Sequence, residues 1–432
     1  MKHRAWLAAC LGFEFVMLLA VVRLGDLRSH VPAFLVLFVL ASTGFILAAY
    51  FVRAQNLPVW ALLAVAVVLR VPMFFTQPSL SDDVWRYIHD GRAQLAGVNP
   101  YTYAPEHPAT AAYRGPEFSR INHPELPTIY PPLAQYAFRA IAWFPAPLLA
   151  WRVLLLAAEL AMLLAAAVLL RQRSASVNNL ALYAWHPLAI VETTGNAHVE
   201  ALGVAFLVGA LALAARDRQL RAGVVLAASI ATKLVAAPIA FITARSFRLP
   251  FAVLATVAVL YAPFVLHGED ALGSLGLFAR SWESNGSLYS LFAPLIGPQV
   301  YRLSAAAVLL GCIALLRIRN IDVIDAVAAY FLALFILAPV VHPWYLLWLL
   351  ALLPLRRRAF DAFGVAALYW TVSVALAYTA LHQQQVYGEW RVPGWFLLLQ
   401  YGPMFVLLLQ KSRGAFSITN LSPNNMNTAA KM

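Results

Sequence analysis

Cysteine and charge are both scarce in this 432-residue chain. The two cysteines, Cys10 and Cys312, each lie inside an apolar run. No disulfide framework and no cysteine-based metal cluster follows from them. Charged residues make up 12% of the sequence, where soluble domains carry about 25%, so an ordinary water-soluble domain is excluded. Acids are the scarcer sign, 19 against 31 Lys and Arg, for a formal net charge of +12. Motifs are also missing. There is no Walker A loop and no G-x-G-x-x-G, which leaves a nucleotide-dependent cytoplasmic enzyme unsupported. No H-E-x-x-H zinc spacing occurs, and the scattered His198, His267, His342 and His382 do not replace it. No G-x-S-x-G nucleophile elbow is present either.

Apolar residues are abundant, at 62%. They come in repeated runs of roughly 17 to 23 residues, the length that a bilayer core requires. The chain therefore reads as an all-α polytopic membrane protein. The opening "MKHRAWLAACLGFEFVMLLAVVR" lacks a convincing cleavage site and reads as a first transmembrane helix. Basic residues gather in short loops: "MKHR", Arg53, 171–173, 216–221, 245–248, 317–319, 355–358 and 411–413. The positive-inside rule puts these in the cytoplasm and explains the net charge without nucleic acid. Regions 76–129, 267–298 and 382–393 then fall outside. The run 222–244 has basic residues at both ends, with Lys233 and Pro238 between them. It reads as a re-entrant hairpin of two short helices, tolerable where protein buries the irregular backbone. About 12 crossings remain, with both termini cytoplasmic. Residues 1–413 form one integral membrane domain. The polar tail 414–432 is expected to be disordered.

The external segment 76–129 is too long for a passive connection. It holds six of the 19 acids: Asp82, Asp83, Asp90, Glu106, Glu117 and Glu125. "LSDDVWRYIHDGR" opens it and reads as an interfacial helix with one face in the headgroups. Ser81 can cap its N-terminus, and Asp82 and Asp83 suit the positive end of its dipole. Gly97 and Pro100 end it. Helical spacing puts Asp83, Tyr87, Asp90 and Gln94 on one face. Asp90 is also placed to pair with Arg86. The segment "YPPLAQYAFRAIAWFP" at 130–145 is too short to span and reads as a second juxtamembrane helix.

Polar residues recur where the other apolar runs emerge on the same side. "ETTGNAHVEAL" brings Glu192, Asn196, His198 and Glu200. "HGED" brings His267, Glu269 and Asp270. "RSWESNGSLYS" brings Arg280, Trp282, Glu283 and Asn285, and "VVHPWY" brings His342, Trp344 and Tyr345. Ionisable groups at membrane depth point to function by default. Acids that bind hydroxyls, with aromatics that stack on an apolar ring face, suit a sugar. The substrate-binding candidates are Arg86, Asp90, Tyr130, Asn196, His198, Glu200, Trp282, Asn285, His342 and Tyr345. Lys233 and Arg280 are candidates to hold a phosphate.

The stretches "SDDVWRYIHDGRAQLAGVNPYTYAP", "YPPLAQ", "NAHVEALGVAFL", "ATKLVAAP", "SWESNGSLY" and "HPWYLLWLL", in that order, resemble the GT-C glycosyltransferases. Within that group the chain is similar to bacterial polyprenol-phosphate-mannose-type mannosyltransferases related to the catalytic subunit of GPI mannosyltransferase I. The resemblance implies a GT-C fold and a polyprenyl-phosphate-linked donor such as polyprenyl-phosphate-mannose. It implies a glycan or lipid-linked acceptor, and transfer with inversion at the external or periplasmic face of a membrane. It also implies an acidic general base in the first external loop. The most regular acid of the family pattern corresponds to Asp83, with Asp82 as helper or helix cap. The family's "GHND"-like residues are here "NAHVE", which leaves the roles of His198 and Glu200 open. No cofactor is certain. A divalent cation on Asp82 and Asp83 would need other ligands, since adjacent helix residues point about 100° apart. The competing expectation is a secondary transporter or lipid flippase, although no internal repeat of the kind transporters show is visible.

Overall fold

The computed structural model describes residues 2–266, 271–319 and 321–410. The 414–432 tail and the His267, Glu269 and Asp270 cluster lie outside the described residues. The elements are helical, and two isolated bridges join Ser284 and Asn285 to Val340. Among the described residues, six helices are long and apolar enough to cross a membrane, or seven if one bent pair counts as a span. Further apolar helices have 10–17 residues.

Helices α1 (Lys2–Arg23) and α2 (Val31–Val52) pack antiparallel. A Cβ on Gly44 would lie 3.1 Å from the Cys10 carbonyl oxygen, so the small residue lets the helices approach closely. Helix α3 (Val59–Arg70) runs into a 3-10 turn, Val71–Phe75, where Pro72 cannot continue the α-helical donor pattern. Helix α4 (Asp83–Leu95) follows and then α5 (Pro132–Ala142). Proline at its first position helps start α6 (Pro147–Gln172). The chain then forms a pair, Pro187–Gly195 and α7 (Glu200–Ala214), bent by 119°.

Helix α4 ends as its glycine indicates. Gly97 takes φ +79°, Gly97 N–H donates to Gln94 O, and Val98 N–H donates to Ala93 O at 2.9 Å. This pair of bonds is a Schellman cap. The expectation of a headgroup-facing helix is corrected. Residues 84–91, 93 and 94 are all buried. Helix α5 crosses one side, and segment 96–130 folds back over another. The helix could be enclosed because its charges find partners inside the fold, as in the Arg86–Asp90 pair at 2.7 Å.

After α8 (Gln219–Ile230) the chain reverses at 231–233 into α9 (Ala237–Thr243). Ile239 and Thr243 of α9 line the same small cavity as Ala222 and Leu226 of α8. The two helices form the expected hairpin, with Lys233 at its turn. Helix α10 (Arg248–Val265) then packs against α8.

Charged loops sort to two ends. At one end Arg28 meets Asp82. At the other, Arg173 and Arg357 pair with Asp322, Arg356 pairs with Asp325 and Asp361, and Asn178 bonds the carbonyls of Val52 and Gln55. Three of the basic loops grouped by the charge pattern, at Arg53, 171–173 and 355–358, therefore meet in space.

Candidate active site

The adjacent acids at the start of α4 turn in different directions. Asp83 N–H donates to Ser81 Oγ at 3.3 Å. Asp82 occupies the N-cap position but its side chain caps nothing. Its carboxylate instead accepts from Arg28 Nη2 at 2.6 Å. The cap expected of Asp82 is thus corrected to an ion pair, because the loop before α2 places Arg28 within reach.

Asp83 turns inward. Its Oδ2 lies 3.7 Å from His198 Nδ1, and its side chain keeps 22% exposure. The Tyr130 hydroxyl lies close enough to favour the ionised form of Asp83. Burial first, and then the nearby Glu200 charge, push the Asp83 carboxyl up to about 6. Lys233 and the Tyr130 hydroxyl pull the other way. Desolvation and a like charge both disfavour the ionised carboxylate.

Beneath Asp83 lies a buried polar floor built on the bent pair. Ile190–Gly195 is a π-helical turn, a feature often found at functional sites. His198 is fully buried, with Nε2 3.5 Å from Glu192 Oε2. Glu192 accepts from Tyr378 OH at 2.7 Å and from Asn196 Nδ2 at 3.1 Å. Trp344 stacks on His198 with ring centres 3.8 Å apart, and on His342 at 4.5 Å. Lys233 pairs with buried Glu200, and its ammonium lies 3.9 Å from the centre of the Tyr345 ring. The partly exposed groups are Asp83, Tyr130, Lys233, His342 and Tyr345. The hairpin turn, the start of α4 and the "HPWY" segment thus converge on one opening.

The bend that presents His198 is held from α6. Ala197 adopts φ +61°, an uncommon conformation for a residue with a Cβ. Trp151 Nε1 donates to the Ala197 carbonyl at 2.7 Å, and Arg152 donates to the Gly195 carbonyl at 2.7 Å. Below them Arg70 makes a two-point pair with Glu159 at 2.9 and 3.0 Å. Glu159 also accepts from Tyr183 and Thr193. Arg70 and Glu159 are tolerable at this depth because each is the other's counter-charge.

The structure therefore brings together Asp83, Tyr130, Asn196, His198, Glu200, Lys233, His342 and Tyr345. Other candidates have different settings. Asp90 binds Arg86 and accepts from Gln135 at 3.0 Å, within the contact between α4 and α5. Asn285 donates to the Val341 carbonyl at 3.0 Å and braces the bridge to Val340. Trp282 meets the His123 ring at 5.0 Å. Arg280 is exposed and donates to Gly276 O within its own helix, Leu275–Ser281. Arg280 makes no contact with the Asp83 cluster, so the expected phosphate pair of Lys233 and Arg280 is not assembled.

Sequence reasoning placed Glu192 and Trp344 in the external polar cluster without making them binding candidates, and it missed Tyr378 and the supports Arg70, Trp151, Arg152 and Glu159. Charge inside an apolar run was the available signal for Arg70, Arg152 and Glu159. Tyr378 carries no such signal, because its partner Glu192 is 186 positions away. Among the described residues, no group of three or more His, Cys, Asp or Glu is placed to hold a metal ion. Asp82 and Asp83 do not converge on a common point either.

An all-helical chain with membrane-length apolar helices, and a half-open carboxylate over a polar and aromatic floor, has the build of a membrane sugar transferase. The chain belongs to the alpha-(1->6)-mannopyranosyltransferase family, whose N-terminal domain profile matches residues 8–248. The match takes in Asp83, Tyr130, Glu192, His198, Glu200 and Lys233. The protein is accordingly a glycosyltransferase of the mannosyltransferase type. No curated protein matches the chain.

Proposed function

We propose that the chain is an inverting mannosyltransferase. It moves mannose from a polyprenyl-phosphate-linked donor to a hydroxyl of an envelope glycan, glycolipid or protein. The site opens on the external, periplasmic face of a bacterial plasma membrane, and both termini are cytoplasmic. The shorter apolar helices complete about 12 crossings.

The observation that carries this reading is Asp83, half open above a buried floor and beside a lysine. Asp83 accepts the proton of the acceptor hydroxyl. The freed oxygen electron pair bonds the anomeric carbon, and the carbon–oxygen bond to the phosphate breaks. Polyprenyl phosphate leaves with that electron pair. Inversion to an α-product requires a β-linked donor. A carboxyl titrating at about 6 is a better base than an ordinary carboxylate, yet it stays mostly ionised at neutral pH. Lys233 stands near enough to Asp83 to affect its acidity and can stabilise the charge on the departing phosphate. Tyr345 and His342, backed by Trp344, offer ring faces to the sugar.

The test uses purified full-length protein with radiolabelled polyprenyl-phosphate-mannose. Asp83→Asn should lower transfer by about 10²–10⁴-fold, the usual contribution of a positioned base, and leave donor binding intact. Transfer by this variant at the normal rate would remove Asp83 as the base. Transfer by the wild type from a sugar nucleotide, but from no lipid-linked donor, would overturn the donor assignment.

A further inference from the structure

A second feature lies on the far side of α4. A groove of about 890 Å³ runs between the end of α3, the back of α4 and the start of α6. Phe74, Phe75, Ile88, Leu148 and Leu149 supply apolar walls. Phe75 and Leu149 are exposed, as is Val71 beside them. Three arginines line the same groove against one acid, Glu117, which Arg92 already holds at 2.7 Å. The Arg120 guanidinium lies 4.6 Å from the centre of the Trp85 ring, and Arg120 has no ion pair among the described residues. Arg152 is 3% exposed. It bonds only carbonyl and hydroxyl oxygens, of Phe74, Thr76 and Gly195. Its Nε has no partner. A buried guanidinium without a counter-charge is costly, and an anion in the groove offsets that cost.

The anion is not the leaving group of the reaction. At about 100° per residue, Trp85, Ile88 and Arg92 lie roughly 140–200° around α4 from Asp83. A helix thickness of about 10 Å separates the groove from the Asp83 carboxylate. Exposed apolar side chains at the mouth suit acyl chains, and the arginines suit a headgroup phosphate. We infer that this groove is a binding site for an anionic glycerophospholipid, with its phosphate among Arg92, Arg120 and Arg152 and its chains over Phe75 and Leu149. The gap between Arg152 and the Gly195 carbonyl is a single hydrogen bond, so the bound lipid also steadies the bend that presents His198.

The experiment is native mass spectrometry of the full-length, delipidated protein. It is titrated with phosphatidylglycerol and phosphatidylcholine of the same acyl composition. This reads lipid binding and not sugar transfer, so its outcome is independent of the proposed reaction. Phosphatidylglycerol should bind at least about tenfold tighter, the worth of one charge-assisted hydrogen bond set. Arg120→Glu should remove most of that preference and leave phosphatidylcholine binding unchanged, which also shows that the variant is folded. Phe75→Asp should weaken both lipids. Equal binding of the two lipids overturns the proposal, as does a preference that survives Arg120→Glu. Glycerol phosphate competing as well as the lipid would make the groove a free-phosphate site. Displacement of phosphatidylglycerol by polyprenyl phosphate at equal concentration would make it the donor's own seat. Either result overturns the proposal.

Discussion

Asp82 and Asp83 are chemically alike and one position apart, yet their settings predict different consequences. Asp82 shares a half-exposed pair with Arg28, and such pairs contribute about 0–1 kcal/mol. Asp82→Asn should therefore keep transfer within about fivefold of wild type, measured beside Asp83→Asn in the same membranes. Equal losses for both would mean that the ion pair positions the helix for catalysis. The acidity of Asp83 gives a second test. Its carboxyl is raised to about 6 by burial and by Glu200, against Lys233 and Tyr130. The base works ionised, so kcat/KM should fall as pH drops through about 6. Glu200→Gln removes a charge that raises Asp83 and frees Lys233, which lowers it. Both changes act in the same direction, so the acid limb should move to lower pH. A pH profile of kcat/KM for the two proteins checks this, and a limb that moves upward or stays in place refutes the assignment.

At the level of elements, the site depends on how closely α4 lies on α5. A Cβ at Gly91 would fall 2.1 Å from the Phe138 backbone oxygen, a distance that no side-chain rotation can relieve. Gly91→Ala must push the helices apart and should cost about 1–3 kcal/mol, as overpacked cores do. The melting temperature in detergent should fall, and transfer should fall with it because Asp83 shifts with its helix. An unchanged melting temperature would mean that α5 is free to move. The same elements mark what was legible in the sequence. The start and end of α4 were readable from "SDD" and from Gly97, because caps are local chemistry. The hairpin was readable from basic residues on both flanks of a single apolar run. The burial of α4 was not readable, since amphipathic spacing says which faces differ and not what covers them. Arg280 was misplaced for a related reason: an arginine near the right surface resembles a ligand until its helix is located. Trp344 and Tyr378 join the floor only through packing between segments far apart in the chain.

For the whole molecule, the segregation of charge makes orientation a measurable quantity. His123 is exposed in the segment that also carries Asp82 and Asp83. Ser174 is exposed beside Arg173, at the end where the basic loops meet. The positive-inside rule concerns where Lys and Arg remain after insertion, and it puts Ser174 in the cytoplasm and His123 outside. The two native cysteines, Cys10 and Cys312, can be replaced by alanine to give a clean background. In intact cells a membrane-impermeant maleimide should then label His123→Cys, and label Ser174→Cys only after the membrane is opened. A lipid-linked donor is supplied at one membrane face, so the side that holds Asp83 decides which pool of donor the enzyme can use. Labelling of Ser174→Cys alone in intact cells would invert the chain and move the reaction to the cytoplasmic face. Labelling of both would mean that the two ends are not on opposite sides, so that α6, the membrane-length helix between the two positions, does not carry the chain across.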